Sequence, residues 1–223
     1  MLAVLPIAKK SQNNFIFTAT KNGLVKKTAI EKYAHMRASG LIAMKLKKND
    51  ELCWVKATGG KDQILLVSHN GKSIRFKEED VRPMNRDTMG VKGINLKKGD
   101  FVVSAETFPS RGKRPDDKRR KFFRHVLTVT ENGMGKRSPL SQYPIQKRGG
   151  VGVKVANITP KTGKVVLTQL VTHRNRQLIM TSKKAQVIKL PIKNIPTLGR
   201  DTQGVILMRF SKKGDQVAAA TCL

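Results

Sequence analysis

Four copies of one pattern run through this chain, and a repeat constrains a fold more tightly than any local propensity does. "FIFTATKNGLVKKT" (Phe15 to Thr28), "ILLVSHNGKSIRF" (Ile64 to Phe76) and "VLTVTENGMGKRS" (Val126 to Ser138) share an apolar run, an Asn-Gly pair and a second run that ends in basic residues. "LIMTSKKAQVIKL" (Leu178 to Leu190) keeps the layout with Lys184-Ala185 in place of Asn-Gly. A second motif follows each copy: "SGLIAMKL" from Ser39, "MGVKGINL" from Met89, "VGVKVANI" from Val151 and "QGVILMRF" from Gln203. Its glycines, Gly40, Gly90, Gly152 and Gly204, lie 50, 62 and 52 residues apart. The turn positions Gly23, Gly71, Gly133 and Ala185 lie 48, 62 and 52 apart. Two landmarks with matching intervals establish a true repeat, and the insertion "PSRGKRPDDKRRKFF" (109–123) accounts for the long one.

Each unit reads as two hairpin-like pairs of short strands. Asn-Gly between alternating apolar runs is a strong hairpin signal, and it predicts positive φ at both turn residues. The last strands are "LCWVKA", "FVVSAE", "VVLTQLV" and "QVAAAT", and helical turns are optional at "AIEKYAHM" and "KEEDV". Four strands per repeat without sustained helical periodicity predict an all-β, propeller-like disc of four-stranded antiparallel blades. The expected blades are 14–60, 61–108, 124–173 and 174–223, with 109–123 as a basic loop. Residues 1–13, with "LAVLPI", read as the end of a preceding blade, so the chain reads as the tail of a longer array.

Charge sets the partner class. There are 45 Lys and Arg against 15 Asp and Glu, a formal net charge of +30, and the sequence pI is about 10.7. Such self-repulsion points to a polyanionic partner. By segment the net charge is +2 (1–13), +6 (14–58), +2 (61–108), +5 (109–123), +7 (124–173) and +8 (174–223), so it follows the repeats rather than a tail. The strand after each turn carries Lys26 and Lys27, then Lys72, Arg75 and Lys77, then Lys136 and Arg137, then Lys189. The connector before each second motif carries Arg37, then Arg82 and Arg86, then Lys147 and Arg148, then Arg200. Around a disc these positions form a ring that suits the regularly spaced phosphates of a duplex. Aromatic residues make up only 5% of the chain, too few for the stacking platforms of single-strand binders.

Sites for chemistry do not emerge. The four histidines, His35, His69, His125 and His173, show no triad or metal spacing, and "NGLVKKT" lacks the glycines of a Walker loop. Glu78-Glu79-Asp80 reads as a surface turn, and Tyr33 and Tyr143 occupy matching, structural positions. Cys53 and Cys222 read as reduced thiols of a soluble, cytoplasmic protein. No catalytic residue, metal ligand or cofactor is expected in this chain. A protein-interaction platform and an RNA-binding repeat protein remain the other classes.

The runs "TATKNGLVKKT…RASGLIAMKL", "HNGKSIRFKEEDVRPMNRDTMGVKGINL" and "GRDTQGVILMRF" resemble the C-terminal domain of the DNA gyrase A subunit, with the A subunit of topoisomerase IV as a close alternative. The resemblance covers essentially the whole chain. It implies a six-bladed β-pinwheel with strands exchanged between blades, of which this chain would hold the last four and the end of the second. It also implies duplex DNA wrapped on a basic rim, in an A2B2 enzyme that introduces negative supercoils. The catalytic tyrosine would lie N-terminal to this chain, and ATP and Mg would serve the rest of the enzyme. The family's box is Gln, basic, Arg-Gly-Gly, basic, Gly. Here Gln146, Lys147, Arg148, Gly149, Gly150 and Gly152 match it, Val151 replaces the second basic residue, and the match lies in a later blade than the family's first-blade box.

Overall fold

The computed structural model describes residues 14–34, 39–110, 124–172 and 175–223. The expected stub at 1–13, the insertion from 111 to 123, and Arg37, His35 and His173 lie outside the described residues. Fifteen strands and short 3-10 turns make up the described chain.

The first repeat holds β1 (Phe15–Thr20), β2 (Leu24–Ala29) and β3 (Leu52–Thr58). The second holds β4 (Asp62–Ser68), β5 (Lys72–Lys77), β6 (Val91–Lys92) and β7 (Val102–Pro109). The third holds β8 (His125–Thr130), β9 (Met134–Pro139), β10 (Val153–Lys154) and β11 (Val165–Val171). The fourth holds β12 (Gln177–Ser182), β13 (Val187–Pro191), β14 (Val205–Ile206) and β15 (Val217–Cys222). Sheet orders are β3-β1-β2-β6, β10-β5-β4-β7, β11-β8-β9-β14 and β13-β12-β15.

The first motif forms the expected hairpin, but the second does not. Its two residues leave their own repeat and complete the sheet of the preceding one: β6 pairs with β2 (Leu24↔Lys92), β10 with β5 (Lys72↔Lys154), and β14 with β9 (Met134↔Ile206). The last strand of each repeat pairs with its first strand instead, as in Phe17↔Lys56 and Ile179↔Thr221. Each four-stranded sheet is therefore built from two repeats. The fourth sheet has three strands among the described residues, with β13 at its edge and Val187 60% exposed.

Turn geometry also departs from expectation. Among the described non-glycine residues only Asn49 and Ala185 have positive φ, so Asn22, Asn70 and Asn132 do not share the left-handed conformation of the glycine that follows. The Gly23 amide donates to the Thr20 carbonyl at 3.0 Å, and the same bond joins Gly71 to Ser68 and Gly133 to Thr130. That pattern is a turn closed by one left-handed residue, the three-residue hairpin loop, rather than a two-residue type I′ turn. A Cβ on Gly71 would stand 2.6 Å from Ile158, and one on Gly133 would stand 2.4 Å from the Met208 carbonyl oxygen. The donated segment of the next repeat lies against the turn, so the glycine serves both conformation and contact. Ala185 accepts φ 65° at the turn of β12 and β13, where no donated strand pairs among the described residues.

Two compact units divide the described chain: 14–34, 39–66, 74–110 and 145–152 in one; 67–73, 124–144, 153–172 and 175–223 in the other. The first is built around Phe17, Val25, Ile64, Leu66, Ile74 and Phe76. The second is built around Leu127, Val129, Leu178, Met180, Ile192 and Ile195. Among the described residues no helix is long and apolar enough to cross a membrane.

Candidate nucleic-acid interface

Cations of the expected ring fall into three groups once their side chains are located. Lys26, Lys136 and Lys27 are buried, at 0, 1 and 4% exposure, which removes them from the phosphate-accessible surface that the sequence suggested. The reason is the exchange of strands: β2 and β9 are interior strands, covered by the connector that the next repeat donates.

Lys26 Nζ donates to the carbonyl oxygens of Ala43 (2.6 Å), Asn85 (3.0 Å), Arg86 and Thr88 (3.4 Å). Lys136 Nζ donates to those of Gly199 (2.6 Å), Arg200 (2.7 Å) and Thr202 (2.7 Å), and to Thr202 Oγ1 at 3.1 Å. Each ammonium thus grips one connector by its backbone. Burial pulls both amines down to about 8; Asp87 and Asp201 oppose that shift, and the adjoining Arg86 and Arg200 add to it. Lys27 Nζ donates to the Glu78 carbonyl at 3.2 Å and lies 5.1 Å from the Phe15 ring centre. Glu78 was expected on a surface turn but is fully buried. Its carboxylate accepts from Thr58 Oγ1 (2.5 Å) and the Asp62 amide (3.0 Å).

A second group is half-buried and tethered. Arg86, Arg148 and Arg200 each stand four residues before the second-motif glycine. Each donates Nη1 to the carbonyl two residues past the corresponding glycine of the preceding repeat: Ile42 (3.5 Å), Lys92 (3.1 Å) and Lys154 (2.9 Å). Arg148 Nε also donates to the Asp80 carbonyl at 2.9 Å. Amides reinforce the same link, with Lys45 donating to Thr88, Asn95 to Gly150 and Asn157 to Thr202, at 2.8 to 3.1 Å. Arg75 is held by Gln63 Oε1 (2.8 Å from Nε) and packs 5.6 Å from the Phe108 ring centre. Arg137 Nε donates to the Ile195 carbonyl at 2.7 Å, and burial lowers its pKa.

The third group faces water. Lys77, Arg82, Lys147 and Lys189 are exposed, and Lys72 is half-exposed. Around them the box-like segment is a structural joint. The Gln146 amide donates to the Arg75 carbonyl at 2.7 Å, the Gly149 amide to Gly93 at 2.7 Å, and the Gly150 carbonyl accepts from Asn95. Gly149 adopts φ +80°, which its counterparts Asp87 and Asp201 do not.

One pairing escaped the sequence reading although both halves are visible in it. Lys26 and Lys136 precede connectors that read Arg-Asp-Thr (Arg86 to Thr88, Arg200 to Thr202). At the same repeat position Ile74 precedes Arg-Gly-Gly (Arg148 to Gly150). A Cβ added to Gly150 would lie 3.5 Å from Ile74 Cδ1, so the glycine connector backs onto an apolar side chain. Lysine accompanies Asp-Thr and isoleucine accompanies Gly-Gly. This alternation is the signal that those lysines face a connector rather than solvent.

No group of three or more His, Cys, Asp or Glu could hold a metal among the described residues. His69 bonds the Val165 carbonyl at 2.9 Å and faces Glu131 at 3.8 Å. Tyr143 is buried, in keeping with the structural role expected of it.

Comparison with known proteins agrees with the repeat. The family described as DNA gyrase C-terminal domain, beta-propeller, matches residues 14–58, 62–109, 124–171 and 176–223. The DNA gyrase A subunit of Staphylococcus aureus (strain MRSA252) is 38% identical over 210 residues, covering 94% of this chain and 22% of that protein. The chain thus spans about a fifth of the length of the curated relatives it matches. Among solved structures, the C-terminal domain of DNA topoisomerase IV superposes with a TM-score of 0.86 at 24% identity, over all of this chain and 65% of that one. A DNA gyrase A C-terminal domain superposes with a TM-score of 0.75 at 23% identity, over 95% and 66%. These two likenesses show the fold.

Proposed function

The chain belongs to the DNA gyrase C-terminal domain family, and from that premise we propose that it binds duplex DNA without sequence preference, bends it and wraps it. The observation that carries this reading is a net charge of +30 distributed over every repeat. Phosphate contacts are sequence-independent, so a repeated basic surface can engage a duplex at regular intervals. In a whole gyrase, wrapping would present a neighbouring DNA segment in one handedness and so support ATP-dependent negative supercoiling. Cleavage would lie elsewhere in the gyrase A polypeptide, and ATP hydrolysis in the gyrase B polypeptide. Neither a catalytic role nor a cofactor is assigned to this chain. Its setting would be the bacterial cytoplasm, in an A2B2 assembly.

The test is closed circular DNA relaxed by a nicking-closing enzyme in the presence of the chain. The expected outcome is a shift in linking number that grows with protein and disappears at high salt. Salt-insensitive binding, or binding with no change of linking number, overturns the reading. Stronger retention of duplex RNA than duplex DNA would move it to the RNA class, and nuclease-resistant capture of one protein would move it to the interaction-platform class.

A further inference from the structure

We propose that the phosphate contacts are made chiefly by a set of lysine turns between the second motif and the last strand of each repeat, and only secondarily by the connector and strand cations; this rests on the duplex-binding reading above. The turns are "KLKKND" (45–50), "NLKKGD" (95–100), "NITPKTGK" (157–164) and "RFSKKGD" (209–215). Each sets two lysines at its tip: Lys47 and Lys48, Lys97 and Lys98, Lys161 and Lys164, Lys212 and Lys213. All eight are exposed, and none forms an ion pair among the described residues.

The aspartates that end three of the turns bond backbone amides, and the exposed Glu51 pairs with Lys21 Nζ at 2.8 Å. Asp50 is 8% exposed and its Oδ1 accepts from the Asn22 and Glu51 amides at 2.9 Å. Asp215 is 6% exposed; it accepts from the amides of Lys184 and Gln216 and, at 2.5 Å, from Ser182 Oγ. Asp100 accepts from the Phe101 amide at 2.9 Å. The third turn has Thr162 in place of the aspartate, and Glu131 Oε2 accepts from the Lys164 amide at 2.8 Å. A carboxylate spent on backbone amides fixes the turn and leaves the lysine ammoniums uncompensated toward solvent.

Within each unit the turns stand in a row. In the first unit the hairpin tip at Lys21 donates its amide to the Glu51 carbonyl and accepts from the Val102 amide, both at 2.8 Å. The tip thus joins the end of turn 45–50 to the end of turn 95–100. In the second unit the Glu131 amide donates to the Lys164 carbonyl, and the Glu131 carbonyl accepts from the Val217 amide, again at 2.8 Å. Turns 157–164 and 209–215 are joined in the same way. By contrast, Lys26, Lys27 and Lys136 are buried, and Arg86, Arg148 and Arg200 hold neighbouring connectors. The turns bring solvent-facing lysines together in pairs, whereas the exposed Lys77, Arg82, Lys147 and Lys189 stand singly along strands and connectors.

The experiment compares three forms of the 223-residue chain on a fluorescent random-sequence duplex across salt concentrations. They are the unaltered chain, the turn variant with all eight lysines changed to Gln (K47Q/K48Q/K97Q/K98Q/K161Q/K164Q/K212Q/K213Q), and the connector variant R86Q/R148Q/R200Q. Circular dichroism and thermal melting verify that the turn variant folds, as exposed side chains predict. A single turn pair, K97Q/K98Q, supplies the measurement if it does not. The turn variant is expected to lose at least about tenfold in affinity at physiological salt. The slope of log affinity against log salt should become shallower by about 0.9 per lost phosphate contact, hence about 2 for the single pair. The connector variant is expected to melt lower and keep most of its slope. An unchanged slope in the turn variant, with the loss following the connector arginines, overturns the inference and leaves duplex binding standing. No duplex binding by the unaltered chain overturns both.

Discussion

Two joints of this molecule solve the same problem with opposite chemistry. At the first, a buried ammonium grips a connector that reads Arg-Asp-Thr: Lys26 holds the backbone of Asn85 to Thr88, as Lys136 holds that of Gly199 to Thr202. At the second, Ile74 meets Arg148-Gly149-Gly150 with an apolar face, and left-handed Gly149 redirects the backbone. Both joints keep the arginine that reaches back to the preceding connector. An arginine staple is common to the three joints among the described residues, whereas the buried partner and the two residues after the arginine change together. The charged grips use connector carbonyls directed at the ammonium and a nearby aspartate, whereas Arg148-Gly149-Gly150 carries no carboxylate.

Exchanging the partners should break the joints most strongly. Ile74→Lys places an ammonium against Gly149 and Gly150, where no aspartate stands. Its expected cost is about 3 to 5 kcal/mol, as for an uncompensated buried charge. Chemical denaturation would check it. Lys136→Met, measured the same way, should cost somewhat less, about 2 to 4 kcal/mol, because three carbonyls lose one shared donor while the stem volume is kept.

Glycines of the connectors sharpen the contrast. A Cβ at Gly204 would stand 2.5 Å from the Gly135 carbonyl oxygen, while one at Gly149 meets nothing nearer than 3.5 Å. Gly204→Ala is therefore expected to lower stability by several kcal/mol through clash and positive φ. Gly149→Ala should lower it by only about 1 to 2 kcal/mol, from its backbone conformation alone. Thermal melts of the two variants side by side test the difference. At the hairpin of β12 and β13, Ala185→Gly should raise stability by about 0.5 to 1 kcal/mol. Relief of the left-handed alanine exceeds the added freedom of the unfolded chain.

A pH slope tests the charged grip separately from its packing. Lys26 and Lys136 titrate near 8 in the folded chain and near 10.5 when unfolded. Between those values the unfolded chain holds more protons, so their contribution makes stability rise with pH across that window and levels off above it. Lys136→Met should show a shallower rise than the unaltered chain between about pH 8 and 10 in urea unfolding. An identical rise would mean that the Lys136 amine does not titrate there.

Much of this was legible along the chain. Fourfold spacing of the glycines dictated an all-β repeat, and the β1–β2 hairpin follows from Asn22-Gly23 flanked by apolar runs. Charge spread over every repeat pointed to a polyanion. The destination of the second motif is not legible in its residues; only the family resemblance implied that strands are exchanged between blades. Val91-Lys92 and Val153-Lys154 look like strands wherever they pair, and nothing in two residues states which repeat will accept them.

That one tertiary decision reassigned the cations. On paper Lys26 and Lys77 are both basic residues on the second strands of neighbouring hairpins; in the fold the first is fully buried and the second faces water. Sequence by itself determined the repeat, its strands and the sign of the chain's own charge, because these depend on periodicity and composition, which are local or summed quantities. Only the tertiary structure decided which positive charges hold the blades and which remain for a ligand. Burial depends on the neighbouring repeat that covers a side chain, and on the carbonyls that repeat brings with it.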